Sequence, residues 1–266
     1  MNQYRREATA MHGLADMVDG KTMPEDTASR CVQEFRTTCE SMKMQVAFRR
    51  SSLNEWDRFL SAQPYIPIAY ANDFVEYQLA WSEGSAEWLR DISVIIYLDG
   101  KAAAVWPLCL RSSTKGIEIG SNEGPLFPPL MSSGLSPRSK KKAYARSYEL
   151  ILGLSAKLRT DGWKGVETIF MQDGLSDWHM MQMDGGASLS VKHDLYLDLS
   201  LDLSEIKSRM RKSYRSLITS GERLWVTDVL RVPDRRVWQE FQSLHLNVAG
   251  RQTRSQKTWD LQLHSI

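Results

Sequence analysis

The sequence predicts a mixed α/β fold built as two successive sheet–helix units. Three observations carry that expectation. Short runs such as 44–49 and 94–106 alternate apolar and polar residues, or stay apolar, in the manner of strands. Longer stretches between them repeat apolar residues every third or fourth position, the period of amphipathic helices. The order strand, helix, hairpin, helix, strand that begins near Met44 then broadly begins again near His193.

Residues 1–43 are polar and methionine-rich. Cys31, Phe35 and Cys39 stand four apart, but the periodicity is weak, and the segment is expected to be a poorly ordered extension dispensable for the fold. "MQVAFR" reads as the first strand. "SSLNEWDRFL" offers Ser52 and Glu55 as a capping box, with Leu53, Trp56 and Leu60 on one helical face. "NDFVEYQLAW" continues helically through Phe74, Tyr77, Gln78 and Trp81. "ISVIIYLDGKAAAVWPLCLR" reads as two strands turned by Asp99-Gly100, a pair suited to the positive φ angles of a tight hairpin. A strand in "KGIEIG" runs into a Gly/Pro-rich loop. A long amphipathic helix over 139–162 is closed by Gly162, and "GVETIFMQ" is the strand after it.

The second round opens with the alternating Leu195, Leu197 and Leu199. A basic helix follows, capped by Asp202 or Ser204 and ended by Gly221. "RLWVTDVLRV" reads as another strand. The next helix turns Val237, Phe241, Leu244 and Val248 inward and stops at Gly250, and a last helix starts at Thr258.

Composition narrows the function. Apolar residues make up 42% of the 266, charged residues 25%, and the formal net charge is only +2. A balance so near zero argues against a protein that coats nucleic acid, so any basic site is local and no DNA partner is expected. No apolar run approaches the ~18 residues of a membrane span, and the N-terminus lacks the apolar centre of a signal peptide; a cytoplasmic protein is expected. Cys31, Cys39 and Cys109 are too few and too scattered for a disulfide framework or zinc site, so no metal is expected.

The chain carries no Walker loop, GxGxxG, HExxH or GxSxG pattern. The strongest chemical signal is the stretch Ser208 to Val226. On one continuous helix Lys207, Arg211 and Arg215 would share a face beside an apolar stripe of Ile206, Met210 and Tyr214. Guanidinium forks suit phosphate or carboxylate, so Arg211 and Arg215 are expected to form a substrate-binding edge, with Arg251 and Arg254 as partners. A solvated helix face is the alternative. Asp198, Glu123 and His193 are candidate bases by location alone. His245 reads as a packing residue, as do Trp56 and Trp238, whereas Trp88, Trp106 and Trp259 could wall a ligand.

Several stretches, in order, resemble the FemAB-like branch of the GNAT acyltransferase superfamily. "YLDGKAAAVWPLCLR" followed by "GSNEGPLFPPLM" is similar to its hairpin and Gly-Pro loop. "LYLDLSLDLSEIKSRMRKSYRSLI" is similar to the start of its second half, and "FQSLHLNVAGRQTRSQKTWDLQ" to the elements that follow. The resemblance covers roughly 44–262. It implies tandem GNAT-like units: a first over 44–190 and the start of a second, incomplete one over 191–266. It further implies transfer of an acyl or aminoacyl group to an amine or hydroxyl of a cell-envelope peptide or polysaccharide precursor, a phosphate-bearing substrate. Acetyl-CoA and aminoacyl-tRNA both remain open as donor, and no resident cofactor is implied. The sequence shows neither the charged helical hairpin of tRNA-using members nor the pyrophosphate loop of ordinary acetyltransferases. The competing expectations are a non-catalytic remnant or binding module of the same fold, and an acetyl-CoA-dependent N-acetyltransferase.

Overall fold

The computed structural model describes residues 24–264 apart from 84–85, 115, 122–124, 161–162, 164–174, 189, 191–197, 199, 227, 229–231 and 233. The chain divides into two compact units, Met1–Trp178 and His179–Ile266. Trp178, at the end of the first unit, is wholly buried in its core, edge-on to Trp106 and Tyr148.

The first unit opens with helix α1, Pro24–Ser41. This corrects the expected extension over its described part: Ala28, Cys31, Phe35 and Cys39 are buried on one face. Small residues and thiols carry most of that stripe, which makes it faint in sequence although its spacing is helical. Strand β1 (Gln45–Phe48) follows, then helices α2 (Leu53–Ser61) and α3 (Asn72–Ser82). Ser52 precedes α2 without a side-chain cap bond; Glu55 instead accepts a 2.7 Å hydrogen bond from the Tyr97 hydroxyl, so the expected capping box does not form. On α3 the buried residues are Val75, Leu79, Ala80 and Ser82. Phe74, Tyr77 and Trp81 line up beside one another on the more exposed side.

Five more strands come next: β2 (Leu89–Asp91), β3 (Val94–Leu98), β4 (Lys101–Trp106), β5 (Cys109–Ser113) and β6 (Gly116–Gly120). With the short β7 (Leu130–Met131), the strands among the described residues form two antiparallel sheets ordered β1-β3-β4-β7 and β2-β5-β6. The hairpin stands at Asp99 and Gly100, with φ of 50° and 74°, the two positive angles a type I′ turn requires. A bulge between Ile96 and Tyr97 shifts the β3–β4 register. Pro107 has no N–H to continue the ladder, so the run read as one strand splits into β4 and β5. Ser93 bridges the break, its hydroxyl donating to Leu108 O (3.2 Å) and accepting from Leu108 N (3.0 Å).

Alternation along β3 and β4 then builds three layers. Val94, Ile96, Ala104 and Trp106 enter the main core with Phe35 of α1 and with Leu150, Ile151 and Leu154 of α4, Pro137–Leu158. Ile95 and Val105 point the other way, onto Trp56, Phe59 and Leu60 of α2. Helix α4 begins at Ser136, whose hydroxyl caps Ser139 N, and ends at Arg159 in the left-handed conformation, short of Gly162. The expected strand at 165–172 lies outside the described residues.

Helix α5 (Asp177–Asp184) straddles the division. In the second unit the expected strand at 195–199 lies outside the described residues, apart from Asp198. The basic segment is two helices, α6 (Leu203–Arg209) and α7 (Lys212–Leu224), parted by Met210 and Arg211 in extended geometry. Helix α8 (Arg235–Ala249) has Asp234 as N-cap and Gly250 as left-handed stop, and α9 is Gln256–His264. The residues expected to face inward on α8 are exposed, Val248 at 80%. The unit is mainly helical in its described residues, with Trp238, Phe241, His245 and Trp259 in aromatic contact where α8 meets α9.

Candidate functional site: an arginine-lined cavity in the first unit

The break at Met210–Arg211 undoes the expected charged face. Ser208 returns its hydroxyl to Glu205 O at 2.8 Å and Arg209 pairs with Glu205 at 2.6 Å, so α6 closes on itself. Lys207 on α6 reaches Glu222 at 3.5 Å. Arg211 precedes the first turn of α7 and Arg215 follows within it; both are exposed. Arg251 and Arg254 sit in the loop between α8 and α9, so the four expected arginines stand on two separate elements. Arg254 holds that loop in place. Its guanidinium lies 4.0 Å from the Trp259 ring centroid and donates to Gln262 at 2.6 Å. His245 packs edge-on to Trp259. Trp88, Trp106 and Trp259 are buried, and none of them is among the residues of the cavity described below.

Asp198 is exposed, and its carboxyl is held below the usual range, first by the Ser200 hydroxyl and then by the Ser200 amide. A carboxylate so stabilised is a weak proton acceptor. Glu123 and His193 lie outside the described residues.

The first unit assembles something that no single stretch announces. Arg49 follows β1 directly, and its side chain is fully enclosed. It donates to Glu76 at 2.5 Å and to Asn72, both on α3, and to Asp91 at 2.6 Å, at the end of β2. Asp91 is 2% exposed and also receives Arg50 Nε at 3.2 Å and the Ser93 amide at 2.9 Å. A buried charge needs such partners, because unpaired it would cost several kcal/mol (~3–5). The knot fixes the ends of β1 and β2 against α3.

Beside it opens a cavity of about 500 Å3. Arg36 of α1, Arg50 after β1 and Arg90 of β2 line it, with Val32, Phe48 and Leu89 as apolar wall. Glu83 and Asp91 are its acidic members. Arg36 lies over Phe48, 4.6 Å from the ring centroid, and among the described residues no carboxylate stands within ion-pair distance of it. Arg50 is 60% exposed and is tied only by its Nε to Asp91, again among the described residues. Arg90 donates to Leu89 O at 2.8 Å and pairs with Glu25, which is itself largely exposed. The local sign of this site in the sequence is the pair Arg49-Arg50 immediately after an apolar strand; Arg36 and Arg90 are brought to it only by folding.

Among the described residues no cluster of three or more histidine, cysteine or acidic side chains could hold a metal ion, and no helix is long and apolar enough to cross a membrane. No family model, curated protein or solved structure matches this chain.

Proposed function

We propose that this chain is built on the plan of an acyl- or aminoacyltransferase acting on an amine or hydroxyl of a cell-envelope peptide or polysaccharide precursor. The observation that carries the reading is the order of elements in the first unit. After α1, a strand, two helices, an Asp-Gly hairpin and a long helix follow one another along the chain, which is the order the resemblance implies for a first unit. In the reaction the acceptor nitrogen or oxygen bonds to the acyl carbon and loses its proton. The bond to the donor breaks, the thioester C–S of acetyl-CoA or the ester C–O of aminoacyl-tRNA, and the leaving thiol or hydroxyl takes up a proton. Such chemistry rests largely on positioning and on stabilising the oxyanion. The test is transfer of label from acetyl-CoA or aminoacyl-tRNA to a phosphorylated muropeptide precursor. Transfer from one donor above a heat-denatured control is expected; none from either donor refutes the reading.

One observation favours a second reading, a binding module of the same fold. Arg36, Arg50 and Arg90 line one cavity of about 500 Å3 in the first unit, whereas Arg211 and Arg215 lie on an exposed stretch of the second. Saturable ligand binding without transfer is the outcome that reading requires.

A further inference from the structure

We infer that the cavity bounded by Arg36, Arg50 and Arg90 is a binding site for a small organic molecule carrying a phosphate group. The cavity holds three guanidinium groups from three elements against two carboxylates. Three arginines against Glu83 and Asp91 leave one positive charge in excess along the lining. Asp91 is already engaged by Arg49, Arg50 and the Ser93 amide. Glu25, the partner of Arg90, is 74% exposed and can yield to a ligand at small cost. Arg36 has its guanidinium over the Phe48 ring, which leaves its N–H edge for an in-plane acceptor.

The chemistry selects phosphate. A single arginine fork satisfies a carboxylate, which presents two oxygens in one plane. Arginines carried by α1, by the turn after β1 and by β2 line this one cavity, and guanidinium groups approaching from several sides suit a tetrahedral dianion with three terminal oxygens. The volume, about 500 Å3, lies within the usual range of small-molecule sites and exceeds what a bare ion needs. Val32, Phe48 and Leu89 provide a surface for an apolar or flat body. The buried Arg49 knot holds two of the three walls in place, so the site is largely formed before ligand arrives.

This assignment is independent of the transferase reading, because it concerns binding alone. The experiment is isothermal titration of the full chain, in a phosphate-free buffer, with phenyl phosphate, inorganic phosphate and benzoate. Saturable one-site binding is expected for phenyl phosphate, tighter than for either control. Arg36→Gln and Arg50→Gln should each raise its Kd roughly ten- to a hundredfold, while Arg138→Gln, on the exposed start of α4, leaves it unchanged. If a variant fails to fold, labelling of the unaltered protein with phenylglyoxal replaces it: phenyl phosphate should shield Arg36 and Arg50 from modification. Absence of saturable binding overturns the assignment, as does benzoate binding equally well or unchanged affinity and labelling at both arginines. Inorganic phosphate matching phenyl phosphate would overturn the organic body. Phosphate binding without acyl transfer would leave this site standing and remove the transferase reading.

Discussion

Replacing Arg49 by methionine tests how the first unit is held together. The substitution keeps the aliphatic stem and removes the guanidinium that joins Glu76, Asn72 and Asp91. Asp91, 2% exposed, is left with Arg50 Nε and the Ser93 amide. Removing one partner of a buried ion pair typically costs ~3–5 kcal/mol. The lower end applies here, since Glu76 is 31% exposed and can return to water. A loss of about 3 kcal/mol corresponds to a fall in Tm of roughly 6–12 °C for a domain of this size. Urea unfolding followed by the fluorescence of the buried Trp56, Trp106 and Trp178 reads it directly. Adding Asp91→Leu should recover part of the loss, because the buried carboxylate that has lost its Arg49 partner goes with it. A loss under about 1 kcal/mol, the range of exposed pairs, would refute the argument that the knot is a buried structural element.

Phe35→Ala should destabilise the protein by ~3–5 kcal/mol in the same assay, as expected when a fully buried ring is emptied from a core; a neutral result would return α1 to the status of an accessory segment. Burial, then the hydrogen bond to Glu55 and its charge, push the Tyr97 phenol from 10 up to about 12. The folded state therefore favours the neutral phenol, so this contribution to stability is intact below about pH 10 and lost as pH rises from 10 to 12. Tm measured across that window should fall less steeply in Tyr97→Phe, and identical slopes would contradict it. The Cys39 thiol is likewise pushed up to about 12, mainly by burial, with Glu40 adding to the effect, and Cys31 is raised by burial. At pH 8 both should react with Ellman's reagent only as fast as the chain opens; immediate reaction would mean that α1 does not pack as described.

Residues that constrain the backbone locally are the legible ones. Asp99-Gly100 and the Gly250 stop can be read from sequence because each fixes a few φ/ψ angles by itself. Faces are harder. On α3 the aromatic Phe74, Tyr77 and Trp81 suggest the core side, but they shelter one another outside while the smaller Val75 and Leu79 go in. The basic stretch reads as one continuous helix because no proline or glycine marks Met210; at the break Glu205 draws Ser208 and Arg209 back onto α6. Of the cavity, only the Arg49-Arg50 pair leaves a local sign in the sequence. Its three arginines come from α1, from the turn after β1 and from β2, and only long-range packing puts them around one volume.

The most direct test of where this protein receives its ligand is a crystal structure of the full chain with phenyl phosphate. Phosphate density among Arg36, Arg50 and Arg90, with the ring against Phe48 or Leu89, is the expected result; density at Arg211 and Arg215 with the first-unit cavity empty would contradict it.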